Sequence, residues 1–298
     1  MILAKLMITA NWGLGTESTK SYIIDIIDGT TCDLFSNYPD DNNVHDPAWG
    51  LLKQMYPFVC DGNESEDIND CYIFQNGEWQ TSVSLTEPSR WSGSTILNET
   101  TLWMAGNYEG YYMNLSLLVN PFEGTVQPGP ELLYNVRTQC MVNIDDDSVM
   151  FIGGYDGIYD LDQTMTYSFA QDSWEMGPTL TTERIVPSCA LLTLGIKKVI
   201  FVVEDDTSEY LELDGDNVWK EGPSLPVSNL NPMMIAIDGG KSAILFAQFL
   251  NPTPIFQLQC IDNDPSLCKW NQLDFDLPFE ARNPVAMMIP DEIVPNCN

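Results

Sequence analysis

The chain has 298 residues, with 43 acidic side chains against 12 basic ones and a formal net charge of −31. Such a polyanion repels phosphate backbones and anionic lipid, which excludes nucleic-acid binding and docking on acidic membranes. No run approaches the roughly 18 apolar residues that would cross a bilayer, and cations, basic proteins and neutral ligands stay open as partners.

Short apolar segments rich in Val, Ile, Phe and Tyr recur along the chain, separated by Gly, Asn, Asp and Pro turns. They are too brief for helices and suit strands. Leu6–Thr9 leads to Tyr22–Ile26. Tyr56–Cys60 leads to Cys71–Phe74, then Trp79 and Arg90. Leu102–Gly106 leads to Leu115–Val119, then Gly129-Pro130 and Arg137. Val149–Gly154 leads to Met165–Phe169, then Trp174, Gly177-Pro178 and Arg184. Val199–Val203 leads to Tyr210–Leu213, then Trp219 and Gly222-Pro223. Ala243–Phe249 leads to Phe256–Cys260, then Trp270 and Arg282. These are six repeats of roughly 45 to 50 residues with about four strands each, the pattern of propeller blades.

The fourth repeat carries a family resemblance. Gly153-Gly154, Tyr167, Trp174 and Gly177-Pro178 resemble the kelch repeat, which pairs a diglycine with a spaced Tyr and Trp, and Tyr72 and Trp79 repeat that last spacing. The resemblance implies an all-β, six-bladed kelch-type β-propeller with four antiparallel strands per blade, in a single domain over residues 1–298. The physical content of the motif is independent of the family. Glycines permit positive φ and close backbone approach where the strand leaves the blade, and the aromatics fill the wedge between twisted sheets.

The chain starts at the second strand of a repeat. Its last segment, Asn283-Pro284-Val285-Ala286-Met287-Met288-Ile289, matches Asn231-Pro232-Met233-Met234-Ile235-Ala236-Ile237, which opens a repeat. The C-terminal segment is therefore expected to supply the innermost strand of the first blade and close an otherwise open edge. Met233-Met234 and Met287-Met288 fall on innermost strands, where strand alternation would turn only one of each pair to a given face.

An even set of eight cysteines points to an oxidising compartment. Three sequons, headed by Asn63, Asn98 and Asn114, agree. The sequence predicts a secreted, extracellular glycoprotein; the stretch Met1 to Ala10 is too short for a signal peptide, so a leader is expected to have been removed or left out. Eight cysteines admit about a hundred pairings. The blade frame favours Cys60 with Cys71, Cys260 with Cys268, Cys140 with Cys189, and Cys32 with Cys297.

Galactose oxidase is an enzyme with kelch-like blades, and the resemblance brings its copper site into question. That site uses two histidines, whereas this chain has one, His45, so such a centre cannot be built. No His-x-x-x-His pair, Cys-x-x-Cys pair or Gly-x-Ser-x-Gly elbow is present. No catalytic or metal-binding residue is assigned and no cofactor is expected. The acidic loops around Asp40-Asp41, Asp145-Asp146-Asp147, Glu204-Asp205-Asp206 and Asp262-Asn263-Asp264 leave calcium as the one candidate ion, without EF-hand spacing.

The arginines are more informative. There are four, Arg90, Arg137, Arg184 and Arg282, each just ahead of a repeat's first strand, the first three at intervals of 47 residues. Arg suits bidentate binding of carboxylate or sulfate, so one reading is an anion or acidic-peptide site at one mouth of the propeller. The other is a lock in which each Arg bonds the next blade. Tyr108, Tyr111 and Tyr112 mark the best loop for partner contact. The function these features predict is a non-catalytic binding or assembly module that contacts protein or glycan partners through blade loops. The alternative is a small-molecule carrier, or a hydrolase- or lyase-type enzyme acting at the channel mouth.

Overall fold

The computed structural model describes residues 5–9, 19–32, 36–39, 47–60, 69–87, 89–107, 114–227 and 231–294. Among these residues strands form six four-stranded antiparallel sheets, accompanied by 3-10 turns and no α-helix. The protein is all-β, with a six-bladed β-propeller fold. The chain divides into two compact units, Met1–Arg137 with Arg282–Asn298, and Thr138–Ala281, and each holds three blades.

In the first unit, blade 1 comprises β1 (Lys5–Thr9), β2 (Tyr22–Asp25) and β3 (Thr31–Cys32). Blade 2 comprises β4 (Ala48–Leu52), β5 (Tyr56–Cys60), β6 (Asp70–Gln75) and β7 (Glu78–Ser84), and blade 3 β8 (Gly93–Asn98), β9 (Thr101–Ala105), β10 (Ser116–Asn120) and β11 (Thr125–Pro128). In the second unit, blade 4 comprises β12 (Cys140–Asn143), β13 (Ser148–Ile152), β14 (Thr164–Ser168) and β15 (Ser173–Met176). Blade 5 comprises β16 (Ser188–Leu194), β17 (Lys197–Glu204), β18 (Thr207–Glu212) and β19 (Lys220–Glu221), and blade 6 β20 (Pro232–Ile237), β21 (Ser242–Ala247), β22 (Thr253–Cys260) and β23 (Cys268–Leu277). The last strand, β24 (Val285–Ile289), completes blade 1 by pairing antiparallel with β1, Met7 opposite Met287 and Thr9 opposite Val285. The expected closure by the C-terminal segment is therefore present.

First strands of neighbouring blades stand side by side: β24, β4 and β8 in one unit, β12, β16 and β20 in the other. Second strands lie between neighbours and are buried on both faces, as in β1 and across Val199–Val203 of β17. Their sequences are therefore continuous apolar runs instead of alternating ones. The same double burial covers both Met287 and Met288, where simple alternation would have turned one away. Outer strands alternate: in β23, Cys268 and Trp270 face the core while Lys269 faces water.

The repeated Gly-Pro has a steric origin. A Cβ on Gly177 would lie 2.3 Å from the Thr164 hydroxyl, and one on Gly222 would lie 2.5 Å from that of Ser208. Each hydroxyl donates to the carbonyl of the following proline, Thr164 to Pro178 at 2.8 Å and Ser208 to Pro223 at 2.7 Å. The Pro178 carbonyl also accepts from the indole N–H of buried Trp219, one blade on, at 3.0 Å. A glycine at this position lets the fourth strand close onto the third, and its proline ties that strand to the next blade.

Three of the expected disulfides form. Cys60–Cys71 and Cys260–Cys268 cross hairpins with Cα separations of 4.0 and 3.9 Å, and Cys140–Cys189 joins the adjacent first strands β12 and β16 at 5.9 Å. Cys32 is itself in a disulfide; its expected partner Cys297 lies outside the described residues.

Candidate binding site

In every sheet the chain arrives at one end to begin the first strand, and the connection from second to third strand lies at that same end, here called the leading end. All four arginines occur there, and the structure separates them into two kinds.

Arg184, between β15 and β16, is 1% exposed. Its guanidinium donates to Glu209 Oε1 on β18 from Nη2 at 3.0 Å and from Nε at 3.3 Å, and to the Thr207 hydroxyl at 3.2 Å. The other oxygen of Glu209 accepts from Thr181 N–H at 2.7 Å. Close by, Glu204 accepts from the backbone N–H groups of Ile185 and Val186 at 3.0 and 2.5 Å. Burial holds the Glu204 carboxyl above its ordinary value, against the opposing pull of those N–H groups and of Arg184. Here the guanidinium's donors are engaged inside the protein, joining blade 4 to blade 5.

Arg90, Arg137 and Arg282 are half-buried instead. Each is followed by a non-glycine residue in the left-handed region: Trp91 at φ 60°, Thr138 at 57° and Asn283 at 41°. Such conformations are uncommon for a bulky or β-branched residue. In the first unit the guanidinium carbon of Arg137 sits 4.6 Å over the Trp91 ring, a cation–π stack that holds the planar fork in one orientation. Around it, Arg90 N–H donates to buried Asn107 at 3.2 Å, and the Ser92 hydroxyl donates to the Gly106 carbonyl at 2.6 Å. This end of blade 3 is thus a cationic and aromatic corner on a hydrogen-bonded base.

Tyr108, Tyr111 and Tyr112, with Asn63, fall outside the described residues. Asn98 and Asn114 are exposed, and Asn98 stands at the β8–β9 turn, its side-chain oxygen accepting from both Thr100 N–H and hydroxyl. Of the acidic loops, Asp40-Asp41 lies outside the described residues, Glu204 accepts from the N–H groups of Ile185 and Val186, and Asp147 and Asp264 cap turns. Asp147 accepts from the Ser168 hydroxyl and Ala170 N–H, and Asp264 from Ser266 N–H and hydroxyl. Among the described residues no group of three or more His, Cys, Asp and Glu side chains is gathered as a metal ion would need.

Sequence reasoning missed the loop between β13 and β14. Its Ile158 and Tyr159 are 73% and 67% exposed. A signal was present: Gly153-Gly154-Tyr155-Asp156-Gly157-Ile158-Tyr159 follows Gly106-Asn107-Tyr108-Glu109-Gly110-Tyr111-Tyr112 at the 47-residue interval of the arginines.

No protein-family model matches the chain, and no curated protein is detectably similar to it in sequence. Among solved structures it is similar to one titled "Structure of YjhT", with a TM-score of 0.65 and 10% identity over 88% of this chain and 93% of that one. At that identity the likeness is one of fold: an all-β propeller.

Proposed function

We propose that this protein is a secreted, non-catalytic propeller of the kelch type that binds or assembles with protein or glycan partners through the loops at the leading end of its blades. The observation that carries the reading is the Arg137 guanidinium held over Trp91, whose own backbone is left-handed. Strain of that sort costs on the order of 1–3 kcal/mol per residue and concentrates where proteins hold ligands. A stacked, oriented guanidinium suits a carboxylate or sulfate on the partner. Arg90 on the same base and Arg282 in the same unit extend the cationic character, whereas Arg184 belongs to the join between blades. Secretion is supported by the disulfides and by the exposed sequon residues Asn98 and Asn114. The kelch assignment is supported by the diglycine, whose Gly153 has no room for a Cβ beside the Arg184 carbonyl, and by the Tyr167–Trp174 ring contact at 5.0 Å.

The test is binding to a panel of carboxylated and sulfated glycans and acidic peptides, with neutral counterparts as controls. Retained ligands are expected to carry a carboxylate or sulfate, and to lose about tenfold to a hundredfold in affinity in Arg137→Ala and Trp91→Ala. A panel with no Arg137-dependent ligand would sink the anion site. Turnover of glycoside, ester or lactone substrates by the purified protein would overturn the non-catalytic reading.

A further inference from the structure

The chain between β13 and β14 forms a closed miniature hairpin at the leading end of blade 4. Tyr155 bridges Asp160 across it. Leu161 N–H donates to the Gly154 carbonyl at 2.9 Å, Gly154 N–H to the Arg184 carbonyl at 2.8 Å and Arg184 N–H to the Leu161 carbonyl at 3.0 Å. At the tip, one oxygen of Asp156 accepts from Ile158 N–H and Tyr159 N–H, both at 2.7 Å. The base of the hairpin therefore rests on the backbone of Arg184, whose side chain is fixed by Glu209. Ile158 and Tyr159 project from this frame into solvent, and Ile185, next to Arg184, is 38% exposed. Large apolar side chains held outward on an ordered loop have already met the ordering cost that binding would otherwise impose.

Charge identifies the occupant. Asp156 and exposed Asp160 lie within the hairpin, Asp162 follows it, and exposed Glu183 adjoins Arg184, on whose backbone the hairpin rests. The five lysines of this unit, Lys197, Lys198, Lys220, Lys241 and Lys269, all lie toward the opposite end of their sheets, and its one arginine at the leading end is buried on Glu209. An acidic surround with an apolar centre repels acidic peptides and anionic glycans. We infer that the Ile158–Tyr159 tip docks a basic segment of a partner protein, one that carries a large apolar or aromatic side chain beside Lys or Arg. The apolar residue covers Ile158, the cation sits against the face of Tyr159 and near the Asp160 and Glu183 carboxylates. This rests on the binding-module reading, and adds to it a second contact of opposite charge preference. In sequence, the acid, the glycine and the apolar pair recur together at Glu109-Gly110-Tyr111-Tyr112.

A phage-displayed library of random dodecapeptides, selected on the immobilised full chain, tests the inference. Selected peptides are then synthesised and their affinities measured against increasing salt. The expected peptides place Lys or Arg within about three residues of an aromatic or large aliphatic residue. Their affinity falls with salt and drops about tenfold or more in the Ile158→Ser/Tyr159→Ser variant, while Ile196→Ser, a nearly fully exposed change at the opposite end, leaves it unchanged. Peptides without basic residues, undiminished binding to the tip variant, or selection of no peptide at all would each overturn the inference. Peptides lost in Arg137→Ala but kept in the tip variant would overturn it while leaving the binding-module reading in place. If neither this selection nor the anionic panel yields a ligand, both fail.

Discussion

Replacing Arg184 by alanine would leave the Glu209 carboxylate buried with its countercharge gone. Breaking a buried pair in this way costs about 3–5 kcal/mol, so Arg184→Ala is expected to lower the denaturation midpoint sharply, and Glu209→Ala to do so comparably. A variant as stable as the parent would remove Arg184 from the join between blades. Glu204 makes a different prediction. Burial raises its carboxyl above 4.5 in the folded protein, so the folded chain takes up this proton at higher pH than the unfolded chain. Protonation of Glu204 thus favours the fold as pH falls from the raised value toward 4.5, and the contribution is lost as pH rises through that value. Glu212, Asp216 and Asp264 are shifted the other way, chiefly by hydrogen bonds from Lys197, Lys220 and Ser266 respectively, and weaken the fold only at lower pH. In Glu204→Gln the gain in stability relative to pH 7 across the upper window is expected to vanish in thermal melts. The sequence shows four arginines in equivalent places and cannot rank them. What marks Arg184 is its near-complete burial against a carboxylate 25 residues downstream, which only the pairing of β17 with β18 brings into reach.

At the scale of the strand, the spacing of apolar runs makes all six blades readable, and Gly-Pro marks three of them because it answers a local steric demand. The purpose of the mark is less visible. Gly177 is required by the hydroxyl of Thr164 across the sheet, a contact with no trace in the order of residues. Gly177→Ala is expected to cost about 1–3 kcal/mol through overpacking, and Gly177→Ala/Thr164→Ala to recover part of it, measured by chemical denaturation. A glycine variant with unchanged stability would refute the steric account. The Cys140–Cys189 bridge was legible for a related reason: equivalent positions in consecutive repeats fall on adjacent first strands. It closes a segment of 49 residues, and Cys140→Ser/Cys189→Ser should lose about 2–4 kcal/mol. The hairpin carrying Ile158 and Tyr159 was hidden because its sequence resembles an ordinary turn. Its outward apolar pair is set by the Asp156 cap and the Arg184 carbonyl, neither of which periodicity reports.

For the molecule as a whole, the pattern that matters is the match of the first strand of the chain to its last. Deletion from residue 284 onward would uncover the whole inner edge of β1, five buried residues with one row of backbone groups unpaired. Exposed apolar edges of this kind pair with other chains. The truncated protein is expected to aggregate or to form dimers in size-exclusion chromatography. A peptide of residues 282–294 supplied in trans should restore the monomer, and a truncated chain that stays monomeric and folded without it would show that β24 is dispensable.

The pairing of β1 with β24 also sets a timetable for biosynthesis. The strand that completes the first blade follows the other five blades in the chain, so during synthesis β1 keeps one open edge until Val285–Ile289 emerge. Contacts of such long sequence separation form slowly. During that interval the buried face and backbone edge of β1 stand open to pairing with other chains, and the arrival of β24 removes both at once.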